Sequence, residues 1–522
     1  MSGRHYCAVY DFELMPYALG DVLTWNIQTA IQCEDLGREL VDVFICMDER
    51  YPASIYQRGM ITADNCGLFF NELFGAFGTH PHLGNIFVFR RREEMLERLH
   101  EVTAGDAESA QAVADYEHAL ENRDNETALN EYFTKYIYFH ERINAFAGQY
   151  GHIPLLRASL GCEPDVKGLI ERQLAGRPIV TIHVRLRRLD AGYGGEHTYT
   201  RDSDFLEWYE FLRDAGRQRP EVQFVMLGRL QEKPLELLRL PNVMSVRALG
   251  LGLGHELTLI LQSDLFMGTS SGFAAMANFS RVPYFITKMN AESCNAYRIR
   301  LGERRLPFAT GRQFLVYEPE TRGLLIRLLE QGLRSAPARG GGPAPPVDTR
   351  IDVNGWLQER AQWLYPAATT GRFFLDDVYS DKETAFLVWP KLEEARGVWG
   401  KGLKRQAWTM VSRVEASFPR LCENFPEFLR LRAVLALARG DGEALRLCES
   451  RLRRLGLQGE DQARFLELLG EATSAAGNGS APQEWPWPAF MARRIGARRQ
   501  KQKVLEELAE LLERLATVRK DS

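Results

Sequence analysis

Apolar runs and amphipathic helical patterns alternate along the first part of the chain. Short continuous apolar runs are typical of strands buried in a parallel sheet. They predict strands over residues 6–11, 41–47 and 85–90, with a helix over 22–36. Residues 92–148 carry mostly helical patterns with interleaved Tyr and Phe, which we interpret as core packing. This alternation predicts an α/β domain over 1–160 that contains a helical insertion.

The same alternation begins again near residue 163 and predicts a second α/β domain over 161–334. Its predicted strands lie at 179–184, 222–227, 242–247, 265–267 and 284–286, and its predicted helices at 204–213 and 255–262. The predicted fold class is therefore α/β, with two Rossmann-like domains.

The pattern changes after residue 334. A Pro- and Gly-rich stretch predicts a linker over 335–349. Leu, Ala and Trp at helical spacing then predict an α-helical, repeat-like domain over 350–480. The tail, 481–522, combines Trp, a basic stretch and an amphipathic helix pattern. Such a tail can contact an anionic membrane surface, and the alternative is a solvated terminal helix.

A hydroxyl-rich turn, Thr269-Ser270-Ser271-Gly272, follows one predicted strand and precedes an Ala-rich helical pattern. Backbone N–H groups and the dipole at a helix N-terminus favour an anion, and hydroxyls add donors. Glycine lets the backbone approach a ligand closely. The turn is a candidate phosphate site, and the alternative is an ordinary helix N-cap.

A second candidate follows the first predicted strand, where Gly20 permits a tight turn and Asp21 stands at the start of a helix. A carboxylate in that position is favoured by the helix dipole and can act as a general base towards a hydroxyl. The alternative is that Asp21 is only an N-cap.

A basic segment at the end of a predicted strand contains His183, Arg185 and Arg187. Ligands of open α/β sheets collect at the carboxyl ends of the strands, and arginine binds phosphate with two parallel hydrogen bonds. A Gly-rich loop follows, in which His197 is a candidate polar contact. The alternatives are a solvated basic loop and a surface histidine.

Two acidic positions have weaker signals. Glu256, after a Gly-rich run, is a candidate acceptor of a hydrogen bond from a sugar hydroxyl, or a plain first-turn acid. Asp202-Ser203-Asp204 has the D-x-D form of some metal sites, but its place before a helix favours an N-cap. No His/Cys cluster has zinc spacing, and we predict no metal.

Composition narrows the class of protein. The chain of 522 residues is long enough for several domains, and its net charge of −4 gives no drive towards nucleic acid. The eight scattered cysteines fit buried thiols in a reducing compartment. The sequence shows neither a signal-peptide core nor an apolar run of about 18 residues. We expect a cytoplasmic protein, with the basic tail leaving contact with the inner face of a membrane open.

Two motifs resemble those of GT-B glycosyltransferases of the heptosyltransferase type. The 268–277 turn is similar to that family's donor-phosphate motif, with Ser270 and Ser271 in place of its Asp-Thr pair and Gly272 matching its last Gly. Leu19-Gly20-Asp21 is similar to its N-terminal Gly-Asp motif, which implies a catalytic base at Asp21. The segment from His183 to Arg185 is instead similar to a fucosyltransferase His-x-Arg motif, stretched by Leu186.

The resemblance implies a metal-independent, inverting transfer of a sugar from a nucleotide-sugar to a glycan, lipid-linked or protein acceptor. The nucleotide-sugar would be a co-substrate, and no other cofactor is expected. Two alternatives are a nucleotide-sugar epimerase and a non-catalytic scaffold built on a transferase-like fold. The sequence is compatible with a monomer and with a homo-oligomer.

Overall fold

The computed structural model describes residues 5–55, 57–136, 140–186, 201–230, 233–334, 382–456, 459–477 and 506–511. The predicted linker at 335–349 and the basic part of the tail lie outside these residues, as do Arg187 and His197. The chain divides into two compact units, Met1–Thr369 and Thr370–Ser522. The first unit contains two lobes, each built on its own parallel sheet.

The first lobe has a three-stranded parallel sheet in the order β1-β2-β3. Its strands are β1 (His5–Asp11), β2 (Leu40–Cys46) and β3 (Leu83–Phe89). Its helices are α1 (Leu19–Asp35), α2 (Cys66–Phe77), α3 (Arg92–Thr103), α4 (Ala107–Glu121), α5 (Glu126–Tyr136) and α6 (Glu141–Tyr150).

Aromatic rings fill the core between the first sheet and its helices. The Tyr10 ring on β1 lies edge-on to the rings of Trp25 on α1 and Phe77 on α2, with centroids 5.3 and 5.1 Å away. Trp25 is 1% exposed. Edge-to-face contacts of this kind add stability beyond the area that they bury.

The second lobe has a six-stranded parallel sheet in the order β6-β5-β4-β7-β8-β9. Its strands are β4 (Ile179–His183), β5 (Gln223–Met226), β6 (Val243–Met244), β7 (Leu265–Thr269), β8 (Tyr284–Thr287) and β9 (Gln313–Leu315). Counted from β4, the order is 3-2-1-4-5-6, which is that of the Rossmann fold. The chain reverses its direction across the sheet between β4 and β7, and this pair is the topological switch point.

Seven α-helices cover the second sheet among the described residues. They are α7 (Glu163–Leu169), α8 (Phe205–Gln218), α9 (Leu235–Leu238), α10 (Leu253–Gln262), α11 (Gly272–Asn278), α12 (Ala291–Ala296) and α13 (Arg322–Leu333). A π-helical turn, Ile170–Leu174, extends α7, and a 3-10 turn, Val246–Leu249, precedes α10.

The described residues of the second unit form α-helices joined by short turns. Its helices are α14 (Lys382–Gly400), α15 (Lys404–Ser417), α16 (Pro419–Asn424), α17 (Pro426–Arg439), α18 (Gly442–Arg454), α19 (Glu460–Gly477) and a short helix at 506–511. The Arg432 guanidinium on α17 lies 3.7 Å from the centre of the Trp408 ring on α15, a cation–π contact between the two helices. No helix in the described ranges is both long and apolar enough to cross a membrane.

The predicted fold class, two α/β lobes followed by a helical region, is confirmed. The predicted strands and the helices of the first unit form within a few residues of their expected ends. The sequence did not predict β9, because only three residues, Gln313–Leu315, pair with β8 at the edge of the sheet.

Candidate functional site

The switch point brings two of the predicted segments together. His183 ends β4 and lies opposite Gly268 on β7. A β-carbon at Gly268 would lie 2.9 Å from the His183 carbonyl oxygen, so only glycine fits between the two strands here. The His183 ring is 7% exposed and packs against the Phe273 ring on α11, with centroids 4.9 Å apart.

The hydroxyl-rich turn leaves β7 at this point. Thr269 is the last residue of β7 and is fully buried. The Ser270 hydroxyl lies 3.1 Å from the buried Tyr297 hydroxyl. The Ser271 hydroxyl accepts a hydrogen bond from the Ala274 N–H at 3.3 Å, which makes Ser271 the N-cap of α11. The capping alternative is therefore confirmed for Ser271, while contact of the turn with a phosphate stays a prediction.

Gly272 lies where the two lobes meet. A β-carbon at Gly272 would lie 2.7 Å from the Leu19 β-carbon and 3.0 Å from the Gly20 backbone nitrogen. We expected this glycine to make room for a ligand, but the space next to it is filled by the start of α1 from the first lobe. The N-termini of α1 and α11, and with them both predicted motifs, are thus in direct contact.

Asp21 stands beside this contact, in the first turn of α1, and is half-buried. The N-cap of α1 is Ala18, whose carbonyl accepts hydrogen bonds from the Asp21 and Val22 N–H groups. The alternative that Asp21 is the N-cap is therefore wrong, and its carboxylate lies one residue beyond Gly20. Consecutive α-carbons are about 3.8 Å apart, so Asp21 is close to the place where the lobes meet.

Arg185 follows β4 by two residues and is 7% exposed. Its N–H donates to the Ser203 hydroxyl at 3.1 Å, and the Ser203 N–H donates to the Arg185 carbonyl at 2.8 Å. The guanidinium stands 4.0 Å from the Asp202 carboxylate, at the limit of ion-pair distance. The backbone is therefore fixed by Ser203, while the guanidinium lies at the carboxyl edge of β4.

The D-x-D segment is a helix start. The Asp204 carboxylate accepts a hydrogen bond from the Glu207 N–H at 3.3 Å and caps α8, as the sequence favoured. Over the ranges that the structure describes, no group of three His, Cys, Asp or Glu side chains is placed to hold a metal ion.

Glu256 has an internal role. It is fully buried in the first turn of α10, and its carboxylate accepts hydrogen bonds from the Gly228 N–H at 2.7 Å and from the Arg247 Nε at 2.8 Å. Burial raises the pKa of this carboxyl, and Arg247 opposes that shift. Both oxygens are engaged, so this carboxylate is not available to a sugar hydroxyl in this arrangement, and the plain first-turn alternative describes it.

The same ion pair extends into the first lobe. Arg247 also contacts the Glu72 carboxylate on α2 at 2.7 Å, so one guanidinium joins carboxylates from both lobes. Nearby, a β-carbon at Gly75 on α2 would lie 2.7 Å from the Gly254 backbone nitrogen on α10. The lobes are therefore closely packed along α2 and α10.

A charged cluster at the carboxyl edge of the first sheet was not predicted. Asp11, the last residue of β1, accepts hydrogen bonds from the Arg92 Nε at 2.8 Å and from the Tyr116 hydroxyl at 2.5 Å. The buried Glu13 contacts the guanidinium groups of Arg92 at 2.5 Å and Arg123 at 3.0 Å. Burial raises the pKa of Glu13, and Arg92 opposes the shift. The available signal was an acid at the last position of an apolar strand.

Comparisons with known proteins return solved glycosyltransferases at low similarity. The E. coli ADP-heptose LPS heptosyltransferase II shares 11% identity and a TM-score of 0.38 over 64% of this chain and 99% of its own. A glycosyl transferase family 9 protein from Veillonella parvula shares 12% identity and a TM-score of 0.37 over 63% and 97%. E. coli heptosyltransferase WaaC, solved with ADP-2-deoxy-2-fluoro heptose, shares 9% identity and a TM-score of 0.32 over 63% and 99%.

No protein-family model and no curated protein matches the sequence. The α/β fold of the two lobes is therefore assigned from the order and direction of their strands.

Proposed function

We propose that this protein is a glycosyltransferase that moves a sugar from a nucleotide-sugar donor to an acceptor hydroxyl. The observation that carries the proposal is the position of the two motifs. The Thr269–Gly272 turn lies at the switch point of a Rossmann-order sheet, and the Gly20-Asp21 segment of the other lobe lies against it. Nucleotides bind at such switch points, outside the carboxyl ends of the strands.

The donor would lie mainly on the second lobe. Its diphosphate would be held by the turn around Ser270 and by the Arg185 guanidinium at the carboxyl edge of β4. An arginine can bind two phosphate oxygens at once and stabilise the charge that builds up as the nucleoside diphosphate leaves. This arrangement supplies positive charge to the leaving group from the protein itself.

The acceptor would lie on the first lobe, with Asp21 as the general base. Its carboxylate would take the proton of the acceptor hydroxyl while the oxygen attacks the anomeric carbon. The bond from that carbon to the diphosphate oxygen breaks, and the nucleoside diphosphate leaves with its electron pair. Attack from the face opposite the leaving group inverts the anomeric centre.

A ligand screen followed by a transfer assay tests the proposal. At about 100 times its dissociation constant, a ligand stabilises the folded state by roughly 2.7 kcal/mol, a shift easily seen in thermal unfolding. We expect one of the GDP-, UDP-, ADP- and dTDP-sugars to give such a shift. Asp21→Asn should then bind this donor and lose transfer, and Arg185→Ala should lose donor affinity.

The controls are Asp64→Asn and Arg327→Ala, which change the same chemical groups at exposed positions outside both motifs. Both should behave as the wild type. Conversion of the donor sugar to its epimer without an acceptor product would indicate the epimerase alternative. Absence of a shift with every nucleotide-sugar would contradict the proposal and favour the scaffold.

A further inference from the structure

Lys288 lies next to the turn that the proposed function uses. Thr269 on β7 and Thr287 on β8 are direct partners at the ends of the two strands. The residues that follow them, Ser270 and Lys288, therefore leave the sheet side by side at its carboxyl edge. Lys288 is half-buried there, one strand further from the switch point than the turn.

The backbone of Lys288 adopts a conformation that side chains disfavour. Its φ is +53°, in the left-handed region where residues other than glycine are uncommon. Both neighbours are fixed, because the Thr287 hydroxyl donates to the Glu320 carboxylate at 2.5 Å and the Met289 N–H donates to the Val316 carbonyl at 3.0 Å. Such strain persists where the surroundings impose it, and it is concentrated at functional sites.

Arg298 also has a positive φ, but its place in the fold explains it. Among the described residues other than glycine, only Arg298 shares a positive φ, at +51°. It directly follows the C-cap of α12, where a left-handed residue is common. Lys288 follows a strand, so no helix end accounts for its conformation.

The Lys288 amine donates a hydrogen bond to the Asp202 backbone carbonyl. The buried Glu320 carboxylate attracts the amine electrostatically, but within the described part of the chain no carboxylate lies at ion-pair distance from it. Asp202 directly precedes Ser203, which fixes the Arg185 backbone. The amine of Lys288 and the guanidinium of Arg185 thus approach the same short segment from β8 and from β4.

We propose that Lys288 is a second cationic contact for the donor diphosphate, which it reaches from β8 as Arg185 does from β4. The inference rests on the proposed function and deepens it. A hydrogen bond from an ammonium to a phosphate oxygen is stronger than one to a neutral carbonyl. The amine can therefore exchange the Asp202 carbonyl for a phosphate oxygen when the donor binds.

The test compares a nucleoside diphosphate with its own nucleoside by calorimetric titration. The probe is whichever of GDP, UDP, ADP and dTDP the wild type binds most tightly. Lys288→Asn removes the charge and keeps a residue that tolerates the left-handed backbone. We expect it to weaken binding of the diphosphate about 10- to 100-fold and to leave binding of the nucleoside unchanged. Lys288→Arg should recover most of the loss, and Arg298→Asn, the matched control, should bind as the wild type does.

Three other outcomes would overturn either the role of Lys288 or the proposed function. Equal affinity of Lys288→Asn and the wild type for the diphosphate overturns the role of Lys288 and leaves the proposed function standing. An equal loss for diphosphate and nucleoside identifies Lys288 as a purely structural residue and also overturns the inference. A wild type that binds none of the four diphosphates contradicts the proposed function, and the inference with it.

Discussion

Gly75→Ala tests whether the two lobes are closely packed along α2 and α10. A β-carbon at this position would lie 2.7 Å from the Gly254 nitrogen, 2.9 Å from the Gly254 α-carbon and 3.7 Å from the Leu253 carbonyl carbon. All three atoms belong to the backbone of the other lobe. A side chain could rotate away from the new methyl group, but this backbone can move only if the helices separate.

The expected loss of stability follows from two opposing terms. Overpacking a close contact costs about 1–3 kcal/mol. Alanine inside a helix is favoured over glycine by about 0.5–1 kcal/mol. The net loss for Gly75→Ala is therefore between about 0 and 2.5 kcal/mol, whereas a helical Gly→Ala change without a close contact costs nothing.

Gly67→Ala is the matched control in the same helix. It adds the same methyl group to α2 at a position where nothing lies within 4 Å. This variant should be as stable as the wild type or slightly more stable. Urea unfolding of the full chain, followed by circular dichroism, measures both variants. A Gly75→Ala variant as stable as Gly67→Ala would refute the close packing of the lobes.

Two further predictions concern residues at the contact between the lobes and at the turn. The His140 ring stacks on the Phe279 ring, and burial lowers the pKa of His140 to about 4. Below a pH of about 6.5 the unfolded state takes up a proton that the folded state does not, so stability falls as the pH drops towards 4. Between pH 7 and pH 5 the free energy of unfolding of His140→Phe should therefore fall by about 2 kcal/mol less than that of the wild type. Equal losses of the two proteins in urea unfolding would contradict the lowered pKa of His140. Ser271→Ala removes the cap of α11 and should cost about 1 kcal/mol, while Ser271→Gly should cost a few tenths; equal stability of all three proteins in thermal unfolding would exclude a capping role.

Patterns local to the sequence predicted most of the fold. The apolar runs located the strands, because a buried parallel strand needs continuous apolar residues. The place of the Gly20-Asp21 and Thr269–Gly272 motifs at the starts of helices was also predictable. That α1 and α11 meet there, with Gly272 against Leu19, was not, because this contact depends on how two separate lobes pack.

Long-range partners account for what the sequence did not reveal. Glu256 looks like a ligand-binding acid after a Gly-rich run, yet it is bound to the Gly228 N–H, 28 residues away. Asp11 is paired with Arg92, 81 residues away, and neither has a motif around it. The left-handed backbone of Lys288 is imposed by contacts of its neighbours and has no local signature.

A crystal structure with a bound nucleoside diphosphate tests the central claim most directly. Crystals would be soaked with the diphosphate that most stabilises the protein in the ligand screen. We predict density for both phosphates at the carboxyl ends of β4 and β7, within hydrogen-bond distance of the Thr269–Gly272 turn and the Arg185 guanidinium. Density for the nucleotide at another place, such as the Asp11 edge of the first sheet, would contradict it.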